Sequence, residues 1–103
     1  MKRYNKLVRD RIPEIIKKDG QKANVRVATD QEYEAKLFEK LNEEVSELVD
    51  SKSVDEMSDV YEVLEAIAKK LGFGQGEIIK LKNKKAKERG RFERRIILIE
   101  ISD

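Results

Sequence analysis

The chain has no cysteine, no histidine and no tryptophan, and only one proline among its 103 residues. Without cysteine there is no disulfide framework and no thiolate chemistry. Without histidine, the commonest general base and the usual zinc ligand are both missing. No apolar run reaches the length of a signal or membrane segment, so a cytosolic location away from membranes is expected. Hydrophobic residues make up 39% and charged residues 43% of the chain, a balance that suits long amphipathic helices rather than a large core. A chain of this length makes a single domain, 1–103, that buries a modest share of its surface. Self-association into a homo-oligomer, a dimer or tetramer, is therefore expected.

What is present is organised by its helix punctuation. Pro13 and the apolar face of Ile12, Ile15 and Ile16 predict a short helix that Gly20 ends. The stretch "NVRVA" (24–28) alternates and is β-branched, and so reads as a brief strand. Thr29 and Glu32 form a capping-box signature for a long helix running to about Asp50. That helix carries Tyr33, Leu37, Phe38, Leu41, Val45 and Leu48 at helical spacing. Ser53 and Glu56 repeat the signature before a second long helix with Met57, Val60, Tyr61, Leu64, Ile67, Ala68 and Leu71. After the break "GFGQG" a third segment turns strongly basic and ends at Gly90. The run "RIILIEI" (95–101) is a second strand candidate, able to pair with 24–28. The expected fold is mainly α, an antiparallel helical bundle with a small two-stranded β element from 24–28 and 95–101.

The net charge is only +2, too small to make nucleic acid the expected partner. The distribution says more, because acids crowd the middle while Lys and Arg crowd the ends. Seven acids fall between Glu43 and Asp59. At about 100° per residue, Glu44 lands inside the apolar stripe of its helix and Glu47 one step out. On the next helix Glu56 falls between Ile67 and Val63, with Asp59 just beyond Val63. Glu43, Asp50 and Asp55 point elsewhere and read as solvated charge. About two residues separate the helices, which must run antiparallel and close. With a rise of roughly 1.5 Å per residue, Glu47 should lie level with Glu56, and Glu44 with Asp59. Four carboxylates brought together repel, and a divalent cation resolves the conflict; oxygen-only ligands point to Mg²⁺ or Mn²⁺. The plainer account, in which seam-edge acids reach to water and Glu56 serves its helix cap, stands beside it.

At these residues the sequence resembles the all-α nucleoside triphosphate pyrophosphohydrolases, the MazG-like group. Their pattern is E-x-x-E on one helix and E-x-x-D on the next, here Glu44-Val-Ser-Glu47 and Glu56-Met-Ser-Asp59. The opening "YNKLVRDRIPEIIKKDG" and the later "KKAKERGRFERRIIL" resemble the small phosphoribosyl-ATP pyrophosphohydrolase-like members. The resemblance implies Mg²⁺-dependent cleavage of a nucleoside triphosphate between its α- and β-phosphates, giving a monophosphate and pyrophosphate. It places Glu44, Glu47, Glu56 and Asp59 at the metal and in catalysis. Lys84, Lys87 and Arg89, with Lys6 and Arg9 as further candidates, would hold the substrate's phosphates; the ordinary reading of each is a solvated surface cation. Related enzymes assemble helices of more than one subunit around each site. Two departures stand out: Arg91 replaces the second glycine of the R-G-G-F often seen in the family tail, and the hairpin loop is short.

Three alternatives remain: phosphoribosyl-ATP as substrate, a non-catalytic helical interaction module, and phosphate-directed nucleic-acid binding through the basic segment 80–95. Tyr33, Phe38, Tyr61 and Phe73 could stack on a base, but at helical spacing they read better as core or oligomer contacts.

Overall fold

The computed structural model describes residues 2–103. It contains four helices: α1 (Ile12–Lys18), α2 (Asp30–Ser51), α3 (Val54–Leu71) and α4 (Gln75–Arg89). The punctuation seen in the sequence operates as expected. Pro13 lies in the first turn of α1, where a missing N–H costs nothing, and Lys17 and Lys18 face the negative end of the helix dipole. Thr29 Oγ1 accepts the Glu32 N–H at 3.2 Å, and Ser53 Oγ accepts the Glu56 N–H at 3.2 Å. Each hydroxyl satisfies a backbone donor that the first helical turn leaves free. Gly72 closes α3 at φ +78, a left-handed conformation open to glycine at little cost.

The α2–α3 connection is only Lys52 and Ser53. Lys52 itself takes the left-handed C-cap position, at φ +50, and its N–H donates to the Leu48 carbonyl at 2.8 Å. A turn this tight forces the two long helices to lie antiparallel and packed side by side. Their shared core is small: Leu37, Val63 and Ile67, flanked by partly buried Leu7, Tyr33, Leu41 and Ala66. Val60 and Ala68 are also buried, and no large side chain among the described residues is wholly enclosed.

The two-stranded element is corrected: among the described residues there is no strand. Both 24–28 and 95–101 are irregular and mostly exposed, Val27 at 95% and Ile99 at 89%. Alternation and β-branching describe a surface fit for pleated packing, but a strand exists only where a second backbone meets its N–H and C=O groups. Arg26 is instead held by a two-pronged pair with Glu32 in the first turn of α2. That pair keeps the Glu32 carboxyl well below the usual carboxylate range.

The chain groups into two compact units, one running to Gly72 and the other from Phe73 to Asp103. The second consists of α4 and the irregular tail. α4 begins at Gly74 with no side-chain cap and ends at Gly90, and none of its residues is buried. No helix among the described residues is long and apolar enough to cross a membrane.

Candidate metal centre

The α2–α3 turn sets the site. Glu44 lies two turns before the end of α2, while Glu56 and Asp59 occupy the first two turns of α3. Antiparallel packing brings these three together, and one carboxylate oxygen from each lies within 4.8 Å of the others. Glu44 is the one buried charged residue among those described, at 6% exposure; Glu56 and Asp59 are half-buried. Glu47, the fourth expected member, is exposed and lies outside this trio, yet it is among the groups that raise the Glu56 carboxyl.

Cations partly balance the group. Lys40 Nζ lies 3.3 Å from Glu44 Oε1 and 3.5 Å from Glu43. Arg9 donates to Asp59 Oδ1 at 2.8 Å, and Lys6 donates to Glu43 Oε1 at 2.7 Å. The segment that carries Lys6 and Arg9 is tied down by Lys36, whose ammonium donates to the Asn5 carbonyl at 2.7 Å. Thus Lys6 and Arg9, expected as phosphate ligands, stand beside the carboxylates and are paired with acids. Lys84, Lys87 and Arg89 line α4 in the second unit, exposed to solvent.

Two oxygens have no partner at all. Glu44 Oε2 and Glu56 Oε2 are out of contact with solvent and accept no hydrogen bond. An orphaned carboxylate oxygen in the interior is costly, and a cation held by both carboxylates would offset that cost. Five carboxylates (Glu43, Glu44, Glu47, Glu56, Asp59) against three cations (Lys6, Arg9, Lys40) leave two negative charges when all are ionised. The donor set therefore fits a hard divalent ion in charge and in chemistry.

The titration of the group carries the same strain. Burial raises the Glu44 carboxyl above its ordinary value, and the Glu47 and Asp59 charges add to it against the pull of Lys40. Glu56 is pushed up to about 7 by burial, then by the Glu47 carboxyl, then by Glu44 and Asp59. Glu43 moves the other way, because its hydrogen bond with Lys6 favours the ionised form.

These directions fix a pH dependence for the cation-free protein. Between the ordinary glutamate value of 4.5 and about 7, folded Glu56 binds more protons than unfolded Glu56. Stability then falls as pH rises through that window and levels off above it. In EDTA, the thermal midpoint of the wild type should decline from pH 5 to pH 7.5, and saturating Mg²⁺ should flatten the decline. A midpoint that rises across that range in EDTA would contradict the repulsion.

The sequence reading missed Lys40 and misjudged Glu43. Lys40 and Glu44 are four residues apart on one helix, a spacing that pairs opposite charges and was available to find them. The Lys6–Glu43 and Arg9–Asp59 pairs join residues 37 and 50 positions apart, and no local pattern announces them.

No family model matches the chain, and no solved structure matches it. A protein of Mycolicibacterium smegmatis (strain ATCC 700084 / mc(2)155), described as uncharacterized, is 55% identical over 42 residues. The match covers 41% of this chain and 43% of that protein, so the similar stretch spans less than half the length of either.

Proposed function

We propose that this protein is a Mg²⁺-dependent nucleoside triphosphate pyrophosphohydrolase of the MazG-like, house-cleaning kind. The observation that carries the reading is the convergence of Glu44, Glu56 and Asp59, one carboxylate oxygen of each within 4.8 Å of the others, at carboxyls of which Glu44 and Glu56 each keep a buried, unpartnered oxygen. Glu44, Glu56 and Asp59 would hold the ion, with Glu47 joining from the next turn. When bound, Mg²⁺ supplies charge neutralisation and polarises the phosphoryl oxygens of the substrate.

The chain's own groups do the rest. Water attacks the α-phosphorus, the bond from that phosphorus to the bridging α–β oxygen breaks, and pyrophosphate departs. The water's proton goes to a carboxylate, and Glu47 is suited to receive it because it is exposed beside Glu56. Arg9 presents a planar fork that matches phosphate geometry, and Lys6 a compact point charge. Both are exposed enough to exchange a carboxylate for a phosphate oxygen, since surface ion pairs contribute on the order of 1 kcal/mol or less. The phosphate-binding role of Lys84, Lys87 and Arg89 belongs to the same proposal and rests on the family resemblance.

The test is an assay of the wild-type protein against a panel of nucleoside triphosphates and phosphoribosyl-ATP, with Mg²⁺ or with EDTA. Monophosphate and pyrophosphate should appear in equal amounts, and only with the metal. No product from any member of the panel would overturn the enzymatic reading. Selective turnover of phosphoribosyl-ATP would move it to that substrate.

A further inference from the structure

The segment ahead of α1 and one side of α2 enclose a recess of about 160 Å³. Tyr4 and Leu7 contribute to it from the segment, and Lys36, Glu39 and Glu43, at i, i+3 and i+7, from α2. The segment is held in place at this point. Leu7 packs against the core, and the Lys36 ammonium donates to the Asn5 carbonyl at 2.7 Å. Asn5 itself stands at φ +46, a left-handed conformation that asparagine tolerates.

The recess adjoins the candidate metal centre through Lys40, which lines it and whose Nζ lies 3.3 Å from Glu44 Oε1. Arg9 stands on the α3 carboxylate of that centre, Asp59. The two surroundings differ in chemistry. Arg9 offers a fork suited to phosphate, whereas the recess mixes three ammoniums (Lys6, Lys36, Lys40) with two carboxylates (Glu39, Glu43). Carboxylates repel phosphate oxygens but accept hydrogen bonds from amino and hydroxyl groups, and ammoniums donate to carbonyl and ring acceptors. Sites that enclose drug-sized ligands measure about 300–1,000 Å³, so this smaller recess admits one planar ring rather than a whole nucleotide. The Tyr4 ring supplies a platform for it, being 61% exposed. The Lys2 and Lys6 ammoniums lie 5.5 and 5.6 Å from its centroid. Exposed cation contacts of this kind are weaker than the stacking of a base on an aromatic ring, and give way to it.

We propose that this recess receives the nucleobase of the substrate, stacked on the Tyr4 ring with its polar edge towards Lys36 and Glu39. The phosphates then lead past Lys40 to the carboxylates and Arg9. A base on Tyr4 displaces Lys6 from the ring and leaves its ammonium free for the phosphate nearest the sugar. The inference rests on reading the carboxylates as the metal centre of a nucleotide hydrolase, and gives that reading a place for the base.

Calorimetric titration of the full chain with the four ribonucleoside monophosphates and with inorganic pyrophosphate, all in Mg²⁺, tests it. Tyr4→Ala should weaken the tightest-binding monophosphate about tenfold or more, the scale of one lost stacking contact. Tyr4→Phe, which keeps the ring, should bind within about twofold of the wild type, because stacking uses the π-face that both rings share. Pyrophosphate, which has no base, should bind all three proteins alike. Monophosphate binding that survives Tyr4→Ala overturns the inference, and so does a wild type that binds no monophosphate. A loss shared equally by pyrophosphate overturns it too, by making the recess a phosphate site. Turnover separates this from the enzymatic reading. A wild type that cleaves triphosphates while Tyr4→Ala keeps its KM overturns the base site alone. A wild type without turnover that still binds monophosphate through Tyr4 supports the base site and overturns the hydrolase.

Discussion

Replacing Glu56 by Gln should lower the turnover of nucleoside triphosphate about a thousandfold, the scale of losing one preorganised stabiliser of transition-state charge. The substitution keeps the shape of the side chain and removes its negative charge. The same variant should be more stable than the wild type in the absence of divalent cations. Glu56 is held up to about 7 by burial and by Glu47, Glu44 and Asp59, so an amide there relieves repulsion near neutral pH. Its midpoint in EDTA should lose the decline between pH 5 and 7.5, and its stabilisation by Mg²⁺ should shrink. Pyrophosphate release and urea unfolding measure the two effects on one sample. Lost activity together with raised stability separates a role in the chemistry from a role in folding. Unchanged turnover would remove Glu56 from the site, and lower metal-free stability would refute the repulsion account.

Leu37→Ala should be the most damaging single change to the fold, at about 3 kcal/mol. Leu37 is 2% exposed, and it packs with Val63 and Ile67 at the centre of the contact between α2 and α3. Removing three carbons leaves a cavity that so small a core cannot refill from neighbouring layers. A domain of this size has a total stability near the lower end of about 5–15 kcal/mol, so the loss takes a large fraction of it. Val27→Ala, at a side chain 95% exposed, should stay within about 0.5 kcal/mol of the wild type. Urea unfolding at one fixed protein concentration compares the pair. A change below about 1 kcal/mol for Leu37→Ala would show that the core lies elsewhere.

The features legible in the sequence were those carried by neighbouring residues. Thr29 and Ser53 cap their helices because cap and recipient N–H are three positions apart. Pro13, Gly72 and Gly90 act at the helix ends where they stand. The convergence of Glu44, Glu56 and Asp59 was also legible, because helical period and a two-residue turn together fix the geometry. Glu47 fell outside the trio because it projects to solvent at the edge of the seam. The segments 24–28 and 95–101 misled for a different reason: their residues suit a strand, and strand formation depends on a partner that composition does not supply. Phe38, Val45, Tyr61 and Leu64 have the spacing of core residues and are exposed. Periodicity identifies an apolar face without saying whether the rest of the chain covers it.

The brevity of the Lys52–Ser53 connection has a consequence in time as well as in space. All four carboxylates lie within residues 44–59, so a single short loop brings them together, while Arg9 reaches Asp59 from 50 positions away. Contacts of such low sequence separation form early, on the scale of microseconds for a helical hairpin. Their mutual repulsion would then oppose the first productive encounter of α2 and α3, before the rest of the chain is in place. A divalent cation present during refolding should accelerate the folding limb itself, and the ion would take part in building the protein before it takes part in anything the protein does.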